Sequence, residues 1–423
     1  MNNFLTKAKL MFQDNLLRKK IVFVAIFLVL FRLLATIPIP GVDVTRLHAL
    51  LDGDQFLGLL NIFSGGGLDT LSIVMLGVGP YITSSIIMQL LTMMSPKLKA
   101  MYHEEGEAGR LRFAQYSRVI TVPLALLQAF SFLLLLEKQG VLGEPMLFER
   151  IVNVVVITAG ALLLMWLGEL MTEFGVGNGV SMIIFAGIVA GLPTMLSQAL
   201  ITFEPSQIPL YLGFILASVA IILGVVIVTE AERPIPVTYA KRVRGNKVYG
   251  GVSTYLPLRV NQAGVIPIIF ALSILLFPQL IFNLLSNVSN PFIKDIATYM
   301  AGLVANQWFY GISYFILVFM FTYFYTAVTF DPDSISTNLQ KNGAFIPGVR
   351  PGQSTSDYIS KVLTRITLVG ALFLGVIAVL PLIVQGLTGI SSLAIGGTAL
   401  LIVVSVVLDL VKKVGAQLSM REY

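Results

Sequence analysis

Ten separate apolar runs, nine of them 17 to 24 residues long and the last of 14, each nearly free of charge, constrain the fold of this chain more than any other feature. They lie at 21–37, 71–94, 119–136, 151–170, 180–200, 209–228, 263–284, 309–329, 366–384 and 395–408. A bilayer core about 30 Å thick takes a helix of roughly 20 residues to cross it. Lipid offers no partner for a bare N–H or C=O, so each run closes its own backbone bonds as a helix. Hydrophobic residues make up 56% of the chain against 12% charged, with a mean hydropathy of +0.86, which excludes an ordinary soluble domain. The expectation is an all-α membrane protein of ten transmembrane helices.

The first run follows Arg18-Lys19-Lys20, a stretch that mimics the basic start of a secretory signal. Ile37-Pro38-Ile39-Pro40 comes after it instead of a small-residue cleavage site, so the run reads as a retained span. The chain has no cysteine, which removes disulfides, iron–sulfur centres and thiol nucleophiles. Its two histidines, His48 and His103, fall in connecting loops and read as ordinary loop residues, so no histidine-based metal or acid–base site is expected.

Basic residues alternate from loop to loop. With the N-terminus placed in the cytoplasm, the inside segments 1–20, 95–118, 229–262, 330–365 and 409–423 hold 23 of the 28 Lys and Arg. The outside segments hold only Arg46, Lys138, Arg150 and Lys294. The positive-inside rule therefore puts both termini in the cytoplasm. The net charge of +6 needs no nucleic acid to explain it, although basic cytoplasmic loops also suit an anionic partner.

The runs divide into two sets of five with a faint internal likeness. The second run of each set contains a G-x-x-P element, Gly77-Val78-Gly79-Pro80 and Gly264-Val265-Ile266-Pro267. The fifth run of each opens on glycines, Gly175-Val176-Gly177-Asn178-Gly179 and Gly396-Gly397. An odd number of spans per set would invert one half relative to the other and put a pathway at their junction. Glycine and proline are common in membrane helices anyway, so this pattern alone leaves the repeat open.

Two inside loops are rich in base and in turn formers. Residues 229–262 hold Arg233, Lys241, Arg242, Arg244 and Lys247 with turn signals at Gly245-Asn246 and Gly250-Gly251, which fits a projecting hairpin. Residues 341–352 set three glycines and two prolines around Arg350. Partner docking and simple topogenic charge both account for these loops.

Motif order then brings in a family. Pro80-Tyr81-Ile82-Thr83-Ser84-Ser85-Ile86-Ile87-Met88-Gln89-Leu90-Leu91, Met165-Trp166-Leu167-Gly168-Glu169, Gly177-Asn178-Gly179-Val180-Ser181, Ile184-Phe185-Ala186-Gly187-Ile188-Val189, Ala263-Gly264-Val265-Ile266-Pro267 and the Arg350 loop follow one another as in the SecY family, which the chain resembles over essentially its whole length. The resemblance implies two inverted five-helix halves around a central pore in a bacterial cytoplasmic membrane. Its cargo would be unfolded secretory preproteins with their signal peptides, and hydrophobic segments would leave sideways into the lipid bilayer.

The resemblance also assigns roles. A pore ring would consist of Val78, Ile82, Val180, Ile184, Ile269 and Ile402, all aliphatic. A narrow apolar ring dewets when empty and offers a passing chain no hydrogen bond or charge to stick to. The pairs 78/82 and 180/184 are spaced to share one helix face. A plug would occupy about 54–67, with Phe56, Leu57, Leu60, Ile62 and Phe63 as its apolar side and Gly65, Gly66 and Gly67 as its hinge. An interfacial amphipathic helix would carry the same pattern. Gly65-Gly66-Gly67 is no phosphate loop, because no Gly-Lys-Ser or Gly-Lys-Thr follows. The second and seventh spans would form a lateral gate tuned by Thr83, Gln89 and Asn261, polar groups that equally suit plain interhelical hydrogen bonds.

With no nucleotide motif of its own, such a pore would depend on the motor ATPase SecA or a translating ribosome, docked at Arg350, Lys241, Arg242 and Arg244. Small subunits resembling SecE and SecG would accompany it. The family pattern is broken at Arg233-Pro234-Ile235-Pro236, where relatives often carry consecutive basic residues, and at Leu170-Met171 in place of Gln-Ile.

The organisation expected is a basic segment 1–20, an N-terminal half 21–200, the sixth span with its hairpin loop 201–262, spans seven to ten over 263–408 with a loop at 330–365, and a tail 409–423. A secondary transporter with inverted repeats is the alternative. Arg32, Glu169 and Asp409 are its few candidates for ion coupling, the latter two at span ends. An enzyme is not expected, since no histidine lies in a span and no acids are paired there.

Overall fold

The computed structural model describes residues 14–40, 61, 64, 66–68, 70–138, 140–143, 146–201, 208–240, 242–244, 247–249, 253–285, 290–388 and 391–419. The helices are α1 (Asn15–Ala35), α2 (Gly79–Met94), α3 (Pro96–His103), α4 (Gly106–Lys138), α5 (Leu147–Phe174), α6 (Gly179–Ile201), α7 (Ile208–Glu230), α8 (Ile266–Leu285), α9 (Pro291–Ala305), α10 (Gln307–Thr329), α11 (Pro332–Lys341), α12 (Gln353–Thr388) and α13 (Ser391–Ser419). The strands are β1 (Glu232–Tyr239), β2 (Arg242–Arg244), β3 (Lys247–Tyr249), β4 (Ser253–Arg259) and β5 (Ala344–Phe345). Among the described residues, α4, α5, α10 and α12 are the helices long and apolar enough to cross a membrane, so the count of ten rests on the sequence alone. His48 lies outside the described residues.

The chain forms two compact units. The first comprises residues 1–216, 272–310 and 381–423, and the second 217–271 and 311–380. In the first, α4 lies between α2 and α5, α5 packs on α6, and α6 also meets α1 and α13. Polar ties supplement apolar packing there. The Ser84 hydroxyl of α2 donates to the Ser117 carbonyl of α4, and Arg118 of α4 meets Glu169 of α5 at 2.8 Å.

The second unit contains the sheet. β1 pairs antiparallel with β4 from Glu232↔Arg259 to Thr238↔Ser253, and β2 pairs with β3 between them. On its other edge β1 pairs with β5 through Thr238↔Phe345 and Tyr239↔Ala344. The two basic loops of the sequence are thus one body. Its core sets Ile235, Val237, Leu258, Ala344 and Ile346 of the sheet region against Ile359, Val362 and Ile366 of α12. Alternation along β1, with Ile235 and Val237 inward and Pro234 and Pro236 outward, follows from the strand period of two. Among the described residues β5 pairs with β1 only at Thr238 and Tyr239, so Arg233-Pro234-Ile235-Pro236 lies where β4 alone pairs with the strand, a setting that tolerates proline.

The second apolar run is not helical from its start. Residues 71–78 are turns, and α2 begins only at Gly79. Leu71, Ser72, Val74, Met75 and Val78 are nevertheless buried, so this stretch is apolar because it is core. Its backbone bonds outward, from the Ile39 N–H to the Leu71 carbonyl at 2.9 Å and from the Ile73 N–H to the Ile37 carbonyl at 3.0 Å. The seventh run likewise becomes helical only at Ile266, three residues later than its hydropathy implies.

Candidate functional site

The same backbone construction introduces α2 and α8. Gly77 and Gly264 sit in the left-handed region at φ 57° and 62°, where a side chain is strained. A valine follows, then the helix begins, and Pro80 or Pro267 occupies the second helical position, where its missing N–H costs nothing. The first helical bonds run from the Ile82 N–H to the Val78 carbonyl at 3.1 Å, and from the Ile269 N–H to the Val265 carbonyl at 3.2 Å.

The likeness extends four residues upstream of each left-handed glycine. There Ile73 donates its N–H to Ile37, just past α1, while Val260 donates its N–H at 2.9 Å to Ala231, just past α7. The carbonyl of Ile73 then presses on Gly160 of α5, and that of Val260 on Gly370 of α12; a β-carbon at either glycine would collide with the carbonyl oxygen. Gly160-Ala161-Leu162-Leu163-Leu164 and Gly370-Ala371-Leu372-Phe373-Leu374 are themselves alike. This correspondence was legible in the sequence as a repeated G-A-L-x-L in the fourth run of each half.

The aliphatic residues expected to form a ring are placed as follows. Val78 is the N-cap of α2 and Ile82 lies one turn inside it, with exposures of 0% and 6%. Val180 and Ile184 stand one turn apart at the start of α6. Ile184 is 1% exposed, while Val180 is half-buried against Gly168 of α5. The turn before them is held by the Gly179 N–H donating to the Thr172 hydroxyl at 2.8 Å. Ile402, on α13, is buried at 1%, and α13 packs on α6. These five belong to the first unit. Ile269 belongs to the second, buried at 5% beside Phe270, whose ring meets Phe321 and Tyr325 edge-on. The six side chains are therefore enclosed or half-enclosed by protein rather than arrayed on an outer face.

Of the expected plug, Phe56, Leu57, Leu60, Ile62, Phe63 and Gly65 lie outside the described residues. Gly66 adopts φ 82°. Gly67 is tightly bounded by Ser64, Ser72 and Val74. Ser64 is buried; its hydroxyl donates to the Asn61 carbonyl at 2.9 Å and accepts from the Leu68 N–H at 3.2 Å.

The three gate candidates differ. Thr83 donates to the Gly79 carbonyl of its own helix at 3.0 Å and so is satisfied locally. Asn261 closes the turn before α8 by donating from Nδ2 to the Gly264 carbonyl at 3.2 Å, but its Oδ1 is buried without a hydrogen-bond partner. Gln89 Oε1 on α2 is also buried and unpartnered. A buried orphan acceptor costs about 1–3 kcal/mol, so both positions favour a rearrangement or a ligand that supplies a donor.

Among the docking candidates, Lys241 lies outside the described residues, and Arg242 and Arg244 pair in register with Tyr249 and Lys247 on the β2–β3 ribbon. Arg350 is exposed on a turn fixed from several sides. Its carbonyl accepts from the Thr355 hydroxyl at 2.8 Å. The Ser336 hydroxyl donates to the Gly352 carbonyl at 2.6 Å, and Ser356 donates to Asp333 of α11.

One group was seen only as a poor ion-coupling candidate in the sequence. Glu169 accepts from Arg118, and the Tyr81 phenol of α2 is turned toward Glu169, Arg118 and Ser85. Tyr81 neighbours Ile82, so the cluster fixes the part of α2 that carries the aliphatic pair. Nothing in sequence spacing joins residues 81, 118 and 169. Among the described residues no group of His, Cys, Asp and Glu is arranged to hold a metal.

The SecY family model matches residues 72–411. A protein translocase subunit SecY from Mycobacterium bovis is 43% identical over 429 residues, covering 96% of each chain. Two solved structures share the fold. One concerns the SecY plug domain, described as stabilising the closed state of a translocation channel, with a TM-score of 0.64 at 20% identity over 93% of this chain and 91% of that one. The other, Sec61 in a canine ribosome-channel complex from the endoplasmic reticulum, has a TM-score of 0.61 at 19% identity with the same coverages. The family-model match over residues 72–411 and the alignment across nearly the full length show that this chain belongs to the SecY family.

Proposed function

We propose that this chain is the pore-forming subunit of a protein translocase, passing unfolded secretory polypeptides across the bacterial cytoplasmic membrane and releasing hydrophobic segments into lipid. The observation that carries the reading is the full-length likeness, at 43% identity, to a protein translocase subunit. Val78, Ile82, Val180, Ile184, Ile269 and Ile402 form the constriction in this reading, and the plug at about 54–67 fills it at rest. The physical support is that these aliphatic side chains avoid lipid-facing positions in a protein whose outer helix faces are otherwise apolar. The channel does no chemistry; its residues supply a dewetted passage that binds nothing in transit.

Gln89 and Asn261 flank the lateral gate. The buried acceptor of each lacks a hydrogen-bond partner, so a donor brought by an entering signal peptide would lower the cost of passage there. Arg350, Arg242, Arg244 and Lys241 serve as the docking surface for a SecA-type motor or a ribosome, with SecE-like and SecG-like subunits beside the channel and both termini in the cytoplasm. Exposed arginine on a rigid turn suits charge-assisted binding.

The test is uptake of a secretory precursor into vesicles holding the purified chain with its small subunits, driven by SecA and ATP. Protease-protected precursor is expected. Arg350→Glu should abolish uptake while leaving insertion of the channel unchanged, and full uptake by that variant would contradict the docking role.

A further inference from the structure

Between the seventh and eighth spans hydropathy alone leaves a loop, yet the structure contains α9, a fifteen-residue amphipathic helix. It is built to form on its own. The Asn290 side chain accepts from the Phe292 N–H at 3.1 Å at its N-terminus, and Pro291 takes the first helical position. At 100° per residue, Phe292, Ile293, Ile296, Tyr299 and Met300 share one arc, and Lys294, Asp295, Thr298 and Gly302 occupy the opposite one. The arc is not turned into the protein. Phe292 is 73% and Tyr299 68% exposed, Ile296 46%, and Ala297 is the one helix residue among those described that is fully buried.

The point of attachment says what covers this face. α9 ends at Ala305 and α10, a membrane-crossing helix, starts at Gln307, with Asn306 alone between them. Asn306 ends one helix and caps the next, its side chain accepting from the Trp308 N–H at 3.0 Å. α9 is therefore tethered where α10 meets the membrane surface. Trp308, 76% exposed, and Phe309 open α10 at the level where aromatic side chains gather in membrane proteins. A helix with one apolar arc, aromatic flanks and a single Lys–Asp pair on its other side matches a segment lying in the plane of the interface. We propose that α9 is a lipid-interface anchor: Phe292, Ile296, Tyr299 and Met300 insert among headgroups and upper acyl chains, fixing the start of α10. The inference depends on membrane embedding and not on what the channel carries.

The chain has no cysteine, so single-cysteine variants report cleanly. Ile296→Cys, Tyr299→Cys and, on the polar arc, Thr298→Cys are labelled with an environment-sensitive fluorophore in the channel with its small subunits, reconstituted in vesicles of phosphatidylcholine and phosphatidylglycerol. Nitroxide lipids labelled near the headgroup should quench the first two probes roughly twofold more than lipids labelled deep in the acyl chain, with the Thr298→Cys probe reached by aqueous iodide instead. As a check that leaves α9 untouched, Trp166→Phe makes Trp308 the sole tryptophan of this chain, and beside small subunits freed of tryptophan it should show the same shallow quenching. Probes at 296 and 299 open to iodide would overturn the proposal. So would shielded probes that no nitroxide lipid quenches, because a protein partner would then cover the face. Loss of precursor uptake with these quenching patterns intact would bear on the channel reading alone.

Discussion

The starts of α2 and α8 are the same device set in different surroundings. In each, a left-handed glycine precedes a valine and a helix with proline at its second position. In each, the residue four places upstream gives its N–H to the chain leaving the first helix of its half and rests its carbonyl on a helical glycine. The approach to α2 is a string of buried turns, whereas the approach to α8 is the end of strand β4. The α2 start also stands beside an ion pair, between Arg118 and Glu169, toward which Tyr81 is turned. What is repeated is thus the local hinge of backbone and small residues. What differs is the segment that leads into it.

The largest effect should come from filling the glycine under each carbonyl. Gly160→Leu and Gly370→Leu have no room without shifting backbone, and each should cost about 3 kcal/mol. Thermal unfolding of the detergent-purified complex measures it; tolerance at one site and collapse at the other would break the correspondence.

A smaller effect is expected from Glu169→Gln, which leaves Arg118, 44% exposed and so partly screened, without its carboxylate, at about 1 kcal/mol. The same substitution should loosen α2 and raise resting ion conductance in planar bilayers, and the exchanged pair Arg118→Glu with Glu169→Arg should restore both. Unchanged conductance together with failed rescue would show that the pair does not position α2.

The smallest change belongs to the left-handed glycines. Gly264→Ala meets no atom within 4 Å, so its cost is backbone strain alone, about 1 kcal/mol. Gly264→Asn should cost less than Gly264→Ala, since asparagine tolerates that conformation. Equal melting temperatures for the two variants would remove the conformational argument.

Much of this was legible in the sequence, and the limits have physical causes. Hydropathy marks runs that need an apolar environment, but it does not separate lipid from protein interior. Residues 71–78 satisfied the span pattern because they are core turns, and only the G-x-x-P signal hinted that the helix starts later. The basic loops were visible as loops, but pairing of Thr238 with Phe345, more than a hundred positions apart, has no local signature. The Tyr81, Arg118 and Glu169 cluster was missed for the same reason. The G-A-L-x-L likeness lay in view but gains meaning only once a carbonyl is seen resting on its glycine. α9 carried a helical period, which a loop-length reading passed over.

The most direct test of the account concerns the aliphatic constriction. A secretory precursor carrying one cysteine is arrested in transit through channels bearing Ile82→Cys, Ile184→Cys, Ile269→Cys or Ile402→Cys, with the outward-facing Val119→Cys and Leu216→Cys as controls. Disulfides between precursor and all four inner positions, and none at the controls, are the predicted result. Cross-linking at the controls with none at 82, 184, 269 and 402 would mean that the polypeptide takes another route and that the ring is ordinary core.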